Sequence, residues 1–156
     1  MCYTISNMSG QLTITQLEQK ANEVRKDIIR MLVAAGSGHS AGPLDLAEIV
    51  TTLYFDVMNI RPEEPEWSER DYFFLSNGHC VPVQYAVMAE RGYFPREELT
   101  TLRKLGSRLQ GHPERKLLPG LENTSGPLGS GLSQAAGVEH VLQYIDHQPH
   151  RFVYVV

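Results

Sequence analysis

The sequence predicts an α/β fold, a parallel sheet with flanking helices. Two apolar runs and the order of the elements between them predict it. Tyr72-Phe73-Phe74-Leu75 and Phe152-Val153-Tyr154-Val155-Val156 are nearly continuous in apolar residues, as strands covered on both faces are. Between them lie helical patterns and a long loop. Strand, helix, loop, helix, strand is the order that places two strands side by side and parallel.

The elements follow in chain order. Residues 1–14 read as a loose leader. Thr15 is the expected cap of the first helix, with Glu18 three residues on to close a capping box. Leu17, Ala21, Val24, Ile28, Leu32 and Ala35 recur at helical spacing and make one apolar stripe. Gly36 fits the left-handed residue that commonly ends a helix. After the small-residue turn Gly36-Ser37-Gly38-His39-Ser40-Ala41-Gly42, Pro43 is expected at the first position of a second helix. Asp45 and Glu48 suit the positive end of its dipole. Leu46, Ile49, Val50, Leu53, Tyr54 and Val57 supply its apolar face. Residues 61–69 are rich in proline and charge and read as an exposed loop.

The first strand ends abruptly at Ser76-Asn77-Gly78-His79. A helix is expected from about Val81 to Arg91, closed by Gly92. Pro95 opens a shorter one carrying Leu99, Leu102 and Leu105. Residues 106–131 form a long loop dense in Gly, Pro and Ser. Residues 132–145 offer Leu132, Ala135, Ala136, Leu142 and Ile145 as a buried helix face. The second strand follows, and ligands of such sheets bind beyond the carboxyl ends of the strands.

Bulk properties exclude classes without naming a function. The 156 residues make one domain with room for a real core. A formal charge of −4 with scattered Lys and Arg argues against a nucleic-acid partner. The two cysteines, Cys2 and Cys80, give neither a disulfide framework nor zinc spacing. A reducing, cytoplasmic setting follows. No stretch is long and apolar enough to cross a bilayer, and residues 1–12 lack the pattern of a secretory signal.

Candidate chemistry gathers where histidine adjoins glycine: Gly38-His39, Gly78-His79 and Gly111-His112. Glycine lets backbone approach a ligand, and imidazole offers a donor, an acceptor or a proton. A single such pair is weak evidence, because surface histidines in glycine turns are common. His140, His147 and His150 are read that way. Gly126-Pro127-Leu128-Gly129-Ser130-Gly131 opens a helix whose first N–H groups face an open end. It carries no P-loop lysine and follows no strand directly, so simple packing competes with anion binding. Cys80 reads as a small buried thiol at a helix start rather than a nucleophile. Zinc bound by His39, His79 and His112 is the minority alternative, because closer spacing or acidic co-ligands are usual.

Four stretches in register resemble transketolases. They are Gly36-Ser37-Gly38-His39-Ser40-Ala41-Gly42-Pro43-Leu44, then Leu75-Ser76-Asn77-Gly78-His79. Next come Leu105-Gly106-Ser107-Arg108-Leu109-Gln110-Gly111-His112-Pro113-Glu114 and Thr124-Ser125-Gly126-Pro127-Leu128-Gly129-Ser130-Gly131-Leu132-Ser133. The flavour is that of transketolases made as two subunits, of which this is similar to the first. The resemblance implies that residues 15–156 are part of a thiamine diphosphate-binding domain. It implies that His79 touches the cofactor's diphosphate and that Gly126, Pro127 and Leu128 line the aminopyrimidine. His39 and His112 then face the reacting carbon and the substrate hydroxyls.

That chemistry uses these groups well. The cofactor supplies a nucleophilic carbon for the ketose carbonyl, imidazole N–H groups stabilise the charge that develops on oxygen, and a histidine moves the hydroxyl proton. Sugar phosphates are the implied substrates and the pentose phosphate pathway the implied setting.

Ser40 and Cys80 depart from the family pattern, which often has proline and a small residue such as alanine there. In the family, the strand matching residues 152–156 runs into Gly-Asp-Gly, which holds Mg²⁺. Those ligands are absent from the 156 residues, and the acid that activates the aminopyrimidine comes from the other half of the enzyme. The implied partners are a carboxyl-terminal transketolase section or subunit within a homo- or hetero-oligomer. Neither a nucleic acid nor a membrane is among them. The chain alone is expected to be inactive and prone to associate through Val153 and Val155. Two other readings remain open. One is a non-catalytic relic or binding module of the same fold. The other is a related thiamine enzyme, such as deoxyxylulose phosphate synthase or the decarboxylating component of oxo-acid dehydrogenases, against which the Gly-Ser-Arg-Leu-Gln-Gly-His-Pro-Glu stretch argues.

Overall fold

A computed structural model describes residues 12–148 and 150–156. The first helix, α1, spans Ile14–Ala35. Its cap is Thr13 rather than Thr15, and Gln16 closes the capping box in place of Glu18. The two candidate boxes overlap, and the earlier one wins because the chain is already helical at Ile14. Most of the expected leader lies outside the described residues. Gly36 ends the helix at φ 64°, and its N–H donates to the carbonyls of Leu32 and Val33. Ala21, Val24 and Ile28 are buried along one face, as the periodicity predicts, and Met31, outside the predicted stripe, joins them, while Leu17, Leu32 and Ala35 are half-buried.

The second helical region is broken. It consists of α2 (Ala41–Asp45), α3 (Ala47–Thr52) and a wider π-type turn, Leu53–Val57. Pro43 is the third residue of α2 rather than the first, and it is buried. The face that packs is Ala47, Val50, Thr51 and Tyr54, while Ile49 and Val57 point outward.

Strand β1 (Tyr72–Phe74) pairs in parallel with β2 (Val153–Val155), Tyr72 opposite Val153 and Phe74 opposite Val155. Buried Asp71 fixes the entry: its carboxylate accepts from the N–H of Asn59 at 2.8 Å and of Phe152 at 2.9 Å. At the far end, the Ser76 N–H donates to the Val156 carbonyl at 2.6 Å. A 3₁₀ turn, Gly78–Cys80, leads into α4 (Val81–Arg91). Every residue from Val81 to Ala89 is buried, the signature of a helix surrounded by protein. Gly92 closes α4 at φ 94°. Helix α1 packs on α3, on α4 and on the 3₁₀ helix Arg96–Thr101. Leu99 and Leu102 enter the core there, whereas Leu105 is fully exposed.

Helix α5 (Ser130–His140), extended by the π-type turn Val141–Ile145, packs on both strands. Only part of its expected buried face is covered. Ala135 and Leu142 are buried, but Leu132, Ala136 and Ile145 are exposed. Helical spacing gave the helix correctly and its inward side incorrectly, because apolar residues lie on more than one of its faces. Among the described residues, no helix is long and apolar enough to cross a membrane.

Candidate functional site

The carboxyl end of β1 is where the glycine–histidine corners meet. Ser76, Asn77, Gly78 and His79 leave the strand there, and the start of α5 closes over them. The approach is backbone to backbone. A Cβ on Gly131 would lie 2.6 Å from Ser76 Cα, so only glycine lets α5 begin this close. A Cβ on Gly78 would lie 2.6 Å from Ser125 Oγ and 2.8 Å from the Ser125 carbonyl carbon. These two glycines clamp residues 76–79 against residues 125–131.

The other two corners join at either side. The His39 and His79 rings meet edge to face with centroids 5.0 Å apart. The turn that carries His39 is drawn in where Gly42 abuts Cys80, since a Cβ on Gly42 would lie 2.5 Å from Sγ. On the opposite side, a Cβ on Gly126 would stand 3.8 Å from His112 Cδ2, ordinary contact distance. His112 lines a surface cleft of about 420 Å³ together with Gly111, Glu114, Thr124 and Ser125. Pro127 and Leu128 are exposed at its edge, and the Ser130 hydroxyl donates to the Pro127 carbonyl at 2.9 Å. The structure sets His39 against His79 and Gly126 beside His112, and Gly78 abuts Ser125 between the two pairs. A larger hollow, about 600 Å³, lies elsewhere against the charged surface of α1.

Sequence reasoning passed over two polar groups inside this cluster. Among the described residues, buried Asn77 Oδ1 and Ser125 Oγ have no hydrogen-bond partner. A buried polar atom left unpaired costs about 1–3 kcal/mol, so such atoms mark places where a polar ligand completes the structure. Both lie in the stretches Leu75-Ser76-Asn77-Gly78-His79 and Thr124-Ser125-Gly126. A short polar residue next to each glycine turn was the available signal. Cys80 is buried, and burial raises its thiol pKa, so it is no thiolate nucleophile. The described residues hold no group of three or more His, Cys, Asp or Glu side chains placed for a metal. His140, His147 and His150 are exposed as expected, and His150 pairs with Glu69 at 2.8 Å.

The arrangement can bind a ligand rich in oxygen. His39, His79, two unpaired polar atoms and the start of α5 lie together at the carboxyl end of β1, with His112 beside Gly126 at their edge. That is also where ligands of parallel sheets sit.

Comparison with known proteins gives the family. The chain is 39% identical over 140 residues to the 6-deoxy-6-sulfo-D-fructose transketolase subunit SqwG of Clostridium sp. (strain MSTE9), covering 90% of this chain and 50% of that one. It is 37% identical over 127 residues to one of the subunits of apulose-4-phosphate transketolase from Phocaeicola vulgatus, covering 81% and 45%. Among solved structures, transketolase from Leishmania mexicana superposes with a TM-score of 0.80 at 32% identity, over 93% of this chain and 22% of that one. The chain thus spans about half the length of these subunit relatives. Residues 17–150 match the family model described as transketolase, thiamine diphosphate binding domain, and the chain belongs to that family.

Proposed function

We propose that this chain forms one wall of a transketolase active site, in an enzyme that moves ketol units between ketose and aldose phosphates. The supporting observation is that the His39 and His79 rings meet with centroids 5.0 Å apart, while Gly78 abuts Ser125 and Gly126 lies beside His112.

The residues present fit thiamine diphosphate. Glycine at positions 78 and 131 keeps side chains out of the cradle where a Cβ would collide, and Asn77 Oδ1 and Ser125 Oγ lack partners that a polar ligand would provide. When bound, the cofactor supplies the nucleophilic carbon on which ketol transfer depends. His79 would hold its diphosphate, and the backbone at Gly126, Pro127 and Leu128 would hold its aminopyrimidine. His39 and His112 are substrate-side groups: they hold sugar hydroxyls, donate toward oxygen as charge develops there and carry the proton released from the hydroxyl.

Mg²⁺ is a different matter. The described residues do not fit a metal site, so its ligands belong to another part of the proposed enzyme. The companion is a carboxyl-terminal transketolase section or subunit. The support is that two of the relatives are named as transketolase subunits. Sugar phosphates as substrates, a place in pentose phosphate metabolism and a cytoplasmic site of action complete the proposal.

Steady-state ketol transfer by the chain with its natural partner region tests this. The wild type transfers ketol units when thiamine diphosphate is added. His39→Ala and His112→Ala each lower turnover by about 10²–10⁴-fold with cofactor affinity kept. His79→Ala instead weakens cofactor binding. Full turnover in both substrate-side variants would overturn the assignment.

A further inference from the structure

The segment that leads into Gly126 is tied down on one side and offers a hydroxyl on the other. Asn123 and Ser125 are buried, with Thr124 exposed between them, the alternation of an extended stretch. On the inward side, Asn123 Nδ2 donates to the Leu75 carbonyl at 3.3 Å, just past β1, and Ser125 abuts Gly78. The segment is thereby fixed to the strand end that carries His79. On the outward side, the Thr124 hydroxyl accepts from the Arg115 backbone N–H at 3.1 Å and donates to Glu114 Oε1 at 3.1 Å.

Those two bonds steady the turn that bears His112. Among the described residues, no other hydrogen bond joins residues 111–116 to a distant part of the chain. The rest are local: the Leu117 N–H donates to the Glu114 carbonyl at 3.0 Å, and the Lys116 N–H to the Glu114 carboxylate at 3.5 Å. His112 itself is exposed. Pro113 beside it is buried, but proline has no N–H with which to fix the backbone. One hydroxyl therefore joins the His112 turn to the segment that is anchored on β1.

We infer that Thr124 is a positioning residue for ketol transfer: its hydroxyl sets the place of the His112 turn relative to the backbone of residues 126–128. This rests on the ketol-transfer reading above, in which that backbone holds the cofactor and His112 serves the substrate. Thr124 acts through His112 and not on the ligand. A proton-carrying group displaced by about 1 Å can lose about 10²-fold in rate, so a latch between the two segments has leverage on turnover without being part of the chemistry.

The test uses the enzyme assembled with its natural partner region. Thr124→Val keeps the shape and removes the hydroxyl. Thr124→Ser keeps the hydroxyl. Both are made alone, and Thr124→Val is also combined with His112→Ala. Turnover at saturating thiamine diphosphate, cofactor affinity and the thermal midpoint are measured for each. Thr124→Val is expected to lower turnover about 10–100-fold, with cofactor affinity and midpoint close to wild type because the position is exposed. Thr124→Ser keeps most of the wild-type turnover. In the His112→Ala background, Thr124→Val adds no further loss, since the group that it positions is gone. Wild-type turnover in Thr124→Val, beside a slow His112→Ala, overturns the inference alone. So does a further loss in the double variant, a Thr124→Ser as slow as Thr124→Val, or a fall in cofactor affinity or midpoint that accounts for the lost turnover. A wild type that transfers no ketol units overturns the ketol reading and this inference with it. Full turnover in His112→Ala removes the group being positioned, and the inference falls with that assignment.

Discussion

At single residues, the site is defined by what does not fit. Gly42 and Cys80 touch so closely that a methyl group on Gly42 would sit 2.5 Å from Sγ. Gly42→Ala is expected to destabilise the protein by about 1–3 kcal/mol through overpacking. Cys80→Ala in the same chain should return a large part of that loss, because it removes the colliding atom. Chemical denaturation of the two single variants and the double variant measures the coupling; additive effects would show that the contact is not the cause. Gly78→Ala has no such rescue, since its new methyl would meet Ser125 backbone. It should displace residues 125–128 and weaken ligand binding more than it lowers stability. The three glycine–histidine corners were legible because glycine beside histidine is unusual enough to notice three times. Asn77 and Ser125 were not, because a short polar residue in a turn reads as solvated and nothing in sequence reveals a buried polar atom left without a partner among the described residues.

Among the elements, legibility followed local signals. Helix α4 was readable to its last residue because a small glycine terminator follows a long apolar stretch. The start of α1 was displaced by two residues because two capping boxes compete. Thr13→Ala should cost about 1 kcal/mol, while Thr15→Ala should leave the thermal midpoint nearly unchanged; the reverse order would return the cap to Thr15. The loop bearing the site is anchored by a contact between segments that no local pattern announces. Arg70 holds Glu122 with Nε at 2.9 Å and Nη2 at 3.2 Å, just before Asn123, whose Nδ2 donates to the Leu75 carbonyl at 3.3 Å. Burial raises the Glu122 pKa above its ordinary 4.5, and Arg70 offsets this only in part. The folded state therefore binds the proton more tightly than the unfolded chain. The stability linked to this group is complete below about pH 4.5 and declines as pH rises through the folded pKa. In Glu122→Gln, the part of the stability–pH slope just above about pH 4.5 should flatten. A slope identical to wild type would remove Glu122 as its source.

Across the molecule, the parallel pair of strands, the helices around α4 and the incomplete cover of β2 were legible in outline, and the outward apolar face of α5 was not. Leu132, Val141, Tyr144 and Ile145 are exposed along α5 and its extension, and the residues of β2 are only partly covered. Hydrophobic patterning tells which residues prefer burial. It does not tell which of them the described residues manage to bury. Uncovered apolar surface of this kind promotes association. Sedimentation of the 156-residue chain should show concentration-dependent self-association, relieved in Leu132→Glu; a clean monomer at all concentrations would count against it.

The whole functional assignment depends on four segments, distant in sequence, sharing one ligand. A crystal structure of the chain with its natural partner region and bound thiamine diphosphate tests this most directly. The diphosphate should lie within hydrogen-bond reach of His79, with the ring system against residues 126–128 and with His39 and His112 facing the reactive carbon. Cofactor bound away from the carboxyl end of β1, with those histidines open to solvent, would contradict it.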